Sequence, residues 1–371
     1  MALKVLIIPD KFKGTLTAQA AAQAMAKGWR KVRPQDLLEL LPMSDGGDGF
    51  GAVMSQALQA KAQNIKTMDA AQRPCSAHWW WDARTKTAII EAARINGLAQ
   101  LPQGRFHPFD LDTFGIGAVI RAAHAKGARR CLVGIGGSAT NDGGFGLARS
   151  LGWEFLDRGG NQITSWTQLH SLAAIARSER TRWFEELVVA VDVQNLLLGR
   201  QGCSRIYGPQ KGLAEGDFPM AERALRRLAA VVKKQFNRDY ANEPGAGAAG
   251  GLGFGFRAFL YARMEPGFDL FARHANLIRH LRSADLVITG EGAIDQSTLM
   301  GKGVGQIAER CRKLKIPCLG LAGHVTIPKN VASHFTEAHG LTQITTLPNA
   351  KARPAYWLEQ LAKQAARNWP A

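Results

Sequence analysis

Lys4-Val5-Leu6-Ile7-Ile8-Pro9-Asp10 is a short apolar run closed by a proline and a carboxylate. A run of this length without polar alternation predicts a strand buried on both faces of a parallel sheet. Residues 10–14 form the turn after it. Thr15 or Thr17 is placed to cap an alanine-rich helix that reaches about Val32 and is ended by Pro34. Leu37-Leu38-Glu39-Leu40-Leu41-Pro42 reads as the next buried strand, so the chain opens with a βαβ unit and a parallel sheet. The strand–loop–helix rhythm returns at residues 131–134, 187–191, 286–289, 318–322 and 344–347. Around residues 67–81 the pattern changes. There His78-Trp79-Trp80-Trp81-Asp82, a turn and residues 86–91 predict a hairpin and a domain crossing. The tail after Pro348 reads as a closing helix. The expected class is α/β.

The bulk composition narrows the setting. A chain of 371 residues with 46% hydrophobic content has room for two domains and a sizeable core. The formal charge of +17 favours anionic partners. The basic residues are dispersed over helices, with no zinc-finger spacing and no aromatic recognition motif, which reads as a solvated basic surface that steers small anions and not as a nucleic-acid interface. Five cysteines without a C-x-x-C pair fit a reducing compartment. The first apolar run is too short for a signal segment and no stretch approaches a membrane span, so a soluble cytoplasmic protein is expected.

Forty glycines, clustered at 44–51, 134–146, 245–255 and 290–305, mark loops whose backbone approaches something closely. In open parallel sheets, ligands lie beyond the carboxyl ends of the strands. Gly134-Ile135-Gly136-Gly137-Ser138-Ala139-Thr140-Asn141-Asp142-Gly143-Gly144 follows such a strand and precedes a helical stretch. Its backbone N–H groups suit an anion cradle, with Ser138, Thr140 and Asn141 as further donors and Asp142 to hold magnesium or orient a hydroxyl. Gly290-Glu291-Gly292-Ala293-Ile294-Asp295 runs on to Gly301-Lys302-Gly303, pairing two carboxylates with a phosphate partner; the spacing is not a P-loop. The first two strands bring Asp10, Lys13, Asp45 and Asp48 to neighbouring ends. Asp192-Val193-Gln194-Asn195 and Pro209-Gln210-Lys211-Gly212 add one loop each. Gly245-x-Gly247-x-x-Gly250 formally matches a dinucleotide fingerprint but lacks the preceding strand. His324, beside Gly323, is a minor candidate. Carboxylates, glycine cradles and lysines without a nucleophile–base pair suit phosphoryl transfer, which needs positioning, Mg²⁺ and charge neutralisation.

These loops resemble the bacterial type I glycerate kinase family. Its motifs are matched in order by Pro-Asp-x-Phe-Lys-Gly at 9–14, Met-x-Asp-Gly-Gly-x-Gly at 43–49 and Gly-Gly-Ser-Ala-Thr-Asn-Asp-Gly-Gly at 136–144. Asp-Val-x-Asn at 192–195, Pro-Gln-Lys-Gly at 209–212, Gly-Ala-Gly-x-x-Gly-Gly-Leu-Gly at 245–253 and Gly-Glu-Gly-x-x-Asp at 290–295 continue the series. The resemblance implies a Rossmann-like domain from both chain ends, residues 1–68 and 276–371, with a second α/β domain, 69–275, inserted and the active site in the cleft between them. It implies ATP- and Mg²⁺-dependent phosphorylation of D-glycerate to 2-phosphoglycerate by a monomer or homodimer, with no nucleic-acid or membrane partner. The expected catalytic residues are Asp295, Asp45, Lys13 and Asp192. Those expected to bind nucleotide are Gly136, Gly137, Ser138, Thr140, Asn141, Asp142, Lys302 and Lys211, and those for metal are Asp192, Glu291 and Asp295. The sequence departs from the family pattern at Lys11, Phe50, Asn96, Ile116, Leu196 and Ala293, the last replacing an arginine. Alternatives are a related sugar-acid or hydroxy-acid kinase with Phe50, Asn96 and Ile116 reshaping the pocket, a catalytically weak paralogue that binds ATP or an acid ligand, and a nucleic-acid binder expected from charge alone.

Overall fold

A computed structural model describes residues 2–299, 303–326 and 334–370. The chain divides into two compact units, one of Met1–Asp45, Ala52–Ala57 and Phe268–Ala371, the other of Gly46–Gly51 and Leu58–Gly267. The boundaries therefore fall earlier than the expected breaks at 68 and 275. Lys61–Met68 pairs antiparallel with Pro74–Asp82, Lys61 opposite Trp81 and Met68 opposite Pro74, which makes it an edge strand of the second sheet. At the other seam, Phe268 lies under the Arg310 guanidinium, 4.8 Å from it, and belongs with the helix Gly303–Leu314.

The first unit is a five-stranded parallel sheet ordered Glu337–Gly340, Cys318–Ala322, Leu286–Thr289, Lys4–Ile7, Leu37–Leu40. Counted within the unit, the order is 2-1-3-4-5, and the winding reverses between Lys4–Ile7 and Leu286–Thr289. The expected helix runs Ala18–Arg30, with Thr17 as its cap accepting from the Ala20 N–H. It packs on the C-terminal helix Pro354–Asn368 around Trp29, Leu358 and Leu361. The strand expected at 344–347 is absent. Thr346 instead caps the helix Leu347–Ala352, and the fifth strand is Glu337-Ala338-His339-Gly340. That strand is half-buried at the sheet edge and has no apolar run to betray it.

The second unit has a six-stranded sheet ordered Arg263–Glu265, Glu186–Ala190, Arg130–Gly134, Thr87–Glu91, Pro74–Asp82, Lys61–Met68. The first four are parallel and the last two form the hairpin edge. Four strand ends of one sense thus emerge together, at Glu91, Gly134, Ala190 and Glu265. Among the described residues, no helix is long and apolar enough to cross a membrane.

Candidate active site

In the first unit, the loops after Lys4–Ile7, Leu37–Leu40 and Leu286–Thr289 carry Asp10, Asp45 and Glu291. The strands either side of the winding reversal are tied at this end, where the Asp10 N–H donates to the Gly290 carbonyl at 2.8 Å. A topological switch point is where a doubly wound sheet opens a crevice for ligands. The Asp10 carboxylate is buried and accepts the Lys11 N–H at 2.7 Å. Burial, then the charges of Asp45 and Glu291, push its pKa up to about 7 against the pull of Lys11. Lys11 meets Asp45 at 3.1 Å. Glu291 is buried and accepts from Thr298 Oγ1 at 2.9 Å; the same Thr298 oxygen accepts the Asp295 N–H at 3.1 Å. The Asp295 carboxylate accepts the Ser297 N–H at 2.8 Å. Asp295 is half-buried, whereas Lys13 is exposed on its turn. Lys302 lies outside the described residues.

In the second unit, the 134–144 loop is where sequence placed it, with its side chains turned differently from expectation. Gly136 is half-buried and Gly137 exposed, but Ser138, Thr140, Asn141 and Asp142 are all buried. Asn96 Nδ2 donates to Ser138 Oγ at 3.1 Å and Thr140 Oγ1 at 3.3 Å, and Asn141 Nδ2 to Ser204 Oγ at 2.9 Å. Asp142 accepts from the Thr113 hydroxyl (2.7 Å) and from the N–H groups of Thr113, Gly144 and Gly146. These four donors use its oxygens to organise the loop, so Asp142 does not serve as the ligand-facing carboxylate anticipated; burial raises its pKa even against those donors. What the loop offers outward is the Gly136–Gly137 backbone. Gly137, at φ +78°, lies against Asp48, and a Cβ there would overlap the Asp48 carboxylate.

Two further elements brace the loop. Lys211 is buried and donates to the Thr140 carbonyl at 2.6 Å, from a 3-10 turn closed by Gly212 at φ +106°. Burial depresses its ammonium to about 8, opposed by Cys203 and Asp142. The 245–255 glycines do not form a dinucleotide fingerprint but pack against the 134–144 loop. Gly250 takes the Gly143 N–H at 3.0 Å, and Gly255 approaches Gly144 so closely that a Cβ would stand 2.6 Å from its Cα. Asp192 is exposed and accepts the Gly267 N–H at 2.8 Å. His324 is exposed and bonds Thr326 and Thr342.

Sequence reasoning missed Glu91. It is buried at the end of Thr87–Glu91, and its two oxygens accept the N–H groups of Gly49 (3.0 Å) and Gly51 (2.9 Å) at the start of the helix Phe50–Leu58. A carboxylate closing an apolar strand was the signal available, the same one that marked Asp10. Among the departures, Phe50 and Ile116 are fully buried in the interior, with Phe50 against Gly134, and they do not shape a pocket. Asn96 instead bridges the Ser138 and Thr140 hydroxyls, and Leu196 is partly exposed.

No group of three His, Cys, Asp or Glu among the described residues is arranged to hold a metal ion on its own. Mg²⁺ accompanying a nucleotide takes one or two carboxylates and completes its shell with phosphate oxygens and water. Burial first, and then the charges of Asp45 and Glu291, raise Asp10, and a bound cation would relieve the part due to those charges, so the donor set fits it.

The glycerate kinase family model matches residues 5–370. Glycerate 2-kinase of Escherichia coli (strain K12) is 37% identical over 357 residues, covering 94% of this chain and 93% of that one. A glycerate kinase of Halalkalibacterium halodurans is 37% identical over 322 residues, 86% of this chain and 85% of that one. A crystal structure of a protein assigned as glycerate kinase 2 from Salmonella typhimurium LT2 superposes with a TM-score of 0.83 at 31% identity, covering 99% of this chain and 98% of the other. On this similarity, in sequence along nearly its whole length and in fold, the chain belongs to the glycerate kinase family and is a small-molecule kinase.

Proposed function

We propose that the protein transfers the γ-phosphoryl group of ATP to D-glycerate, with Mg²⁺, and releases 2-phosphoglycerate. The observation that carries this reading is the similarity to a glycerate 2-kinase over 94% of the chain. It is supported by the burial of Phe50 and Ile116, which removes two of the three substitutions that would have argued for a reshaped acid pocket.

Mg²⁺, when bound, neutralises phosphate charge, and Glu291 and Asp295, joined through Thr298, would hold it. Asp45, paired with Lys11 at 3.1 Å, and Asp295 are the proposed acceptors of the glycerate hydroxyl proton. Asp192 is a further proposed carboxylate, and Lys13 and Lys302 are proposed partners for the phosphates. The exposed Gly136–Gly137 backbone would cradle phosphate, and Ser138, Thr140, Asn141 and Asp142 would shape that cradle from within. Five free cysteines fit a cytoplasmic setting.

The test is glycerate-dependent ADP release in a coupled assay, with the phosphoglycerate product assigned by ³¹P NMR. Mg²⁺-dependent release with 2-phosphoglycerate is expected, and Asp295→Asn is expected to lower kcat about tenfold or more. Absence of turnover with D-glycerate would sink the substrate assignment. Wild-type kcat in Asp295→Asn would remove that residue from the chemistry.

A further inference from the structure

We propose that Lys211 is a positioning residue for phosphoryl transfer, its buried ammonium holding the 134–144 loop in ligand-ready form through the Thr140 carbonyl. The inference rests on the reading above that this loop cradles phosphate.

Lys211 is the one lysine or arginine that is buried among the described residues. Among the described residues its side chain makes one hydrogen bond, to the Thr140 oxygen at 2.6 Å. The neighbouring residue is pinned to the same supporting element, because Asn141 Nδ2 donates to Ser204 Oγ at 2.9 Å. Ser204 lies on the helix Cys203–Tyr207, and its carbonyl accepts the Gly208 N–H at 3.0 Å; Gly208 in turn accepts the Lys211 N–H at 2.9 Å. One helix and its closing turn thus grip two consecutive loop residues, one by backbone and one by side chain.

An apolar side chain of Lys211's length would fill the same space without the cost of desolvating a charge. Among the described residues no carboxylate hydrogen-bonds the ammonium, and the Asp142 charge offsets that cost only in part. Asp142 is near, but its oxygens are occupied by Thr113, Gly144 and Gly146. The other titratable group facing Lys211 is Cys203 from the helix, with Glu222 behind it on Phe218–Phe236. Among the described residues, Asn141 Oδ1 and Asn96 Oδ1 are buried and accept no hydrogen bond, so the underside of the loop is polar. A charge held in this way, with its hydrogen bond aimed at the loop's backbone, is explained by a requirement on the loop's position. Its ammonium contacts the loop backbone, so the role proposed for it is one of positioning.

The burial that strains Lys211 also gives it a pH signature. Its ammonium titrates near 8, below the usual 10.5. The stability penalty is therefore full below about pH 8 and relieved as pH rises toward 10.5, while the grip on Thr140 weakens over the same range.

Full-length wild type and Lys211→Met are compared in glycerate-dependent ADP release, in thermal melts and in ligand-free amide hydrogen exchange. The variant is expected to melt at or above the wild-type temperature at pH 7. Its 137–141 amides should exchange several-fold faster, and its kcat/KM should fall about tenfold or more. Wild-type kcat/KM should fall as pH rises through about 8, and that limb should be missing in the variant. Wild-type kcat/KM with unchanged loop protection would overturn the proposal, as would a lower Tm with full turnover per folded molecule. Should Lys211→Met not fold, the wild type decides alone: loop protection and kcat/KM both flat between about pH 7 and 9 refute it. A wild type inactive on glycerate defeats the functional reading instead, and the exchange data then judge Lys211 independently.

Discussion

Asp10 concentrates the electrostatic tension of the first unit in one side chain. It is buried, faces Asp45 and Glu291, and has only Lys11 pulling toward ionisation. Its folded pKa, about 7, lies above the ordinary 3.8. Below pH 3.8 both states carry the proton; as pH rises toward 7 the unfolded chain releases it while the folded chain keeps it. The stability this group contributes is thus whole below 3.8 and lost as pH rises through about 7. At about 1.4 kcal/mol per pKa unit, the loss is on the order of a few kcal/mol. Asp10→Asn should therefore raise the Tm of the ligand-free protein at pH 8 and leave it nearly unchanged at pH 4, while lowering turnover. Calorimetry at the two pH values checks this, and an equal shift at both would show that the carboxylate is not strained by its neighbours.

At the scale of elements, the 134–144 loop depends on glycine contacts from a segment far along the chain. Ala249, Gly250 and Gly251 adopt φ of +55°, +71° and +85° in succession, forming a left-handed kink before the helix continues. A Cβ on Gly250 would overlap the Thr140 carbonyl, the group Lys211 holds. Gly250→Ala should cost about 2 kcal/mol or more in urea unfolding and reduce turnover, whereas Ala249→Gly, relieving a strained alanine, should be neutral or stabilising within about 1 kcal/mol. Equal effects of the two would rule out the close-approach account. The segment also shows where sequence reasoning ran out. The strands at 4–7, 130–134 and 286–289 were legible because a strand buried on both faces leaves an apolar run that nothing else explains. The edge strands Lys61–Met68 and Glu337–Gly340 leave no such run, so one domain boundary and one strand were misplaced. The loops were legible as loops, since glycine clusters announce close approach, but not in the direction their side chains face. Ser138, Thr140 and Asn141 look like ligand donors in one dimension. Only the partners Asn96, Ser204 and Lys211, remote in sequence, reveal that they point inward.

For the whole molecule, burial sharpens the charge imbalance. Among the described residues, ten carboxylates are buried, against Lys211 alone of the cations. The surface is therefore more basic than the formal +17. Both proposed substrates are anions, so the field should raise their encounter rate without changing the chemical step. Raising ionic strength from about 10 mM to about 150 mM shortens the screening length from roughly 30 Å to roughly 8 Å. Under the proposed function, kcat/KM for D-glycerate and for ATP should fall several-fold over that range, while kcat stays within about twofold. Steady-state kinetics in an inert monovalent salt at fixed free Mg²⁺ measure this. A flat kcat/KM would mean that the basic surface does not steer substrate. A salt-sensitive retention of DNA exceeding that of a charge-matched control would assign the surface to nucleic acid instead. Steering demands only a diffuse excess of cations, which is what a chain with dispersed lysines and arginines and inward-turned carboxylates provides.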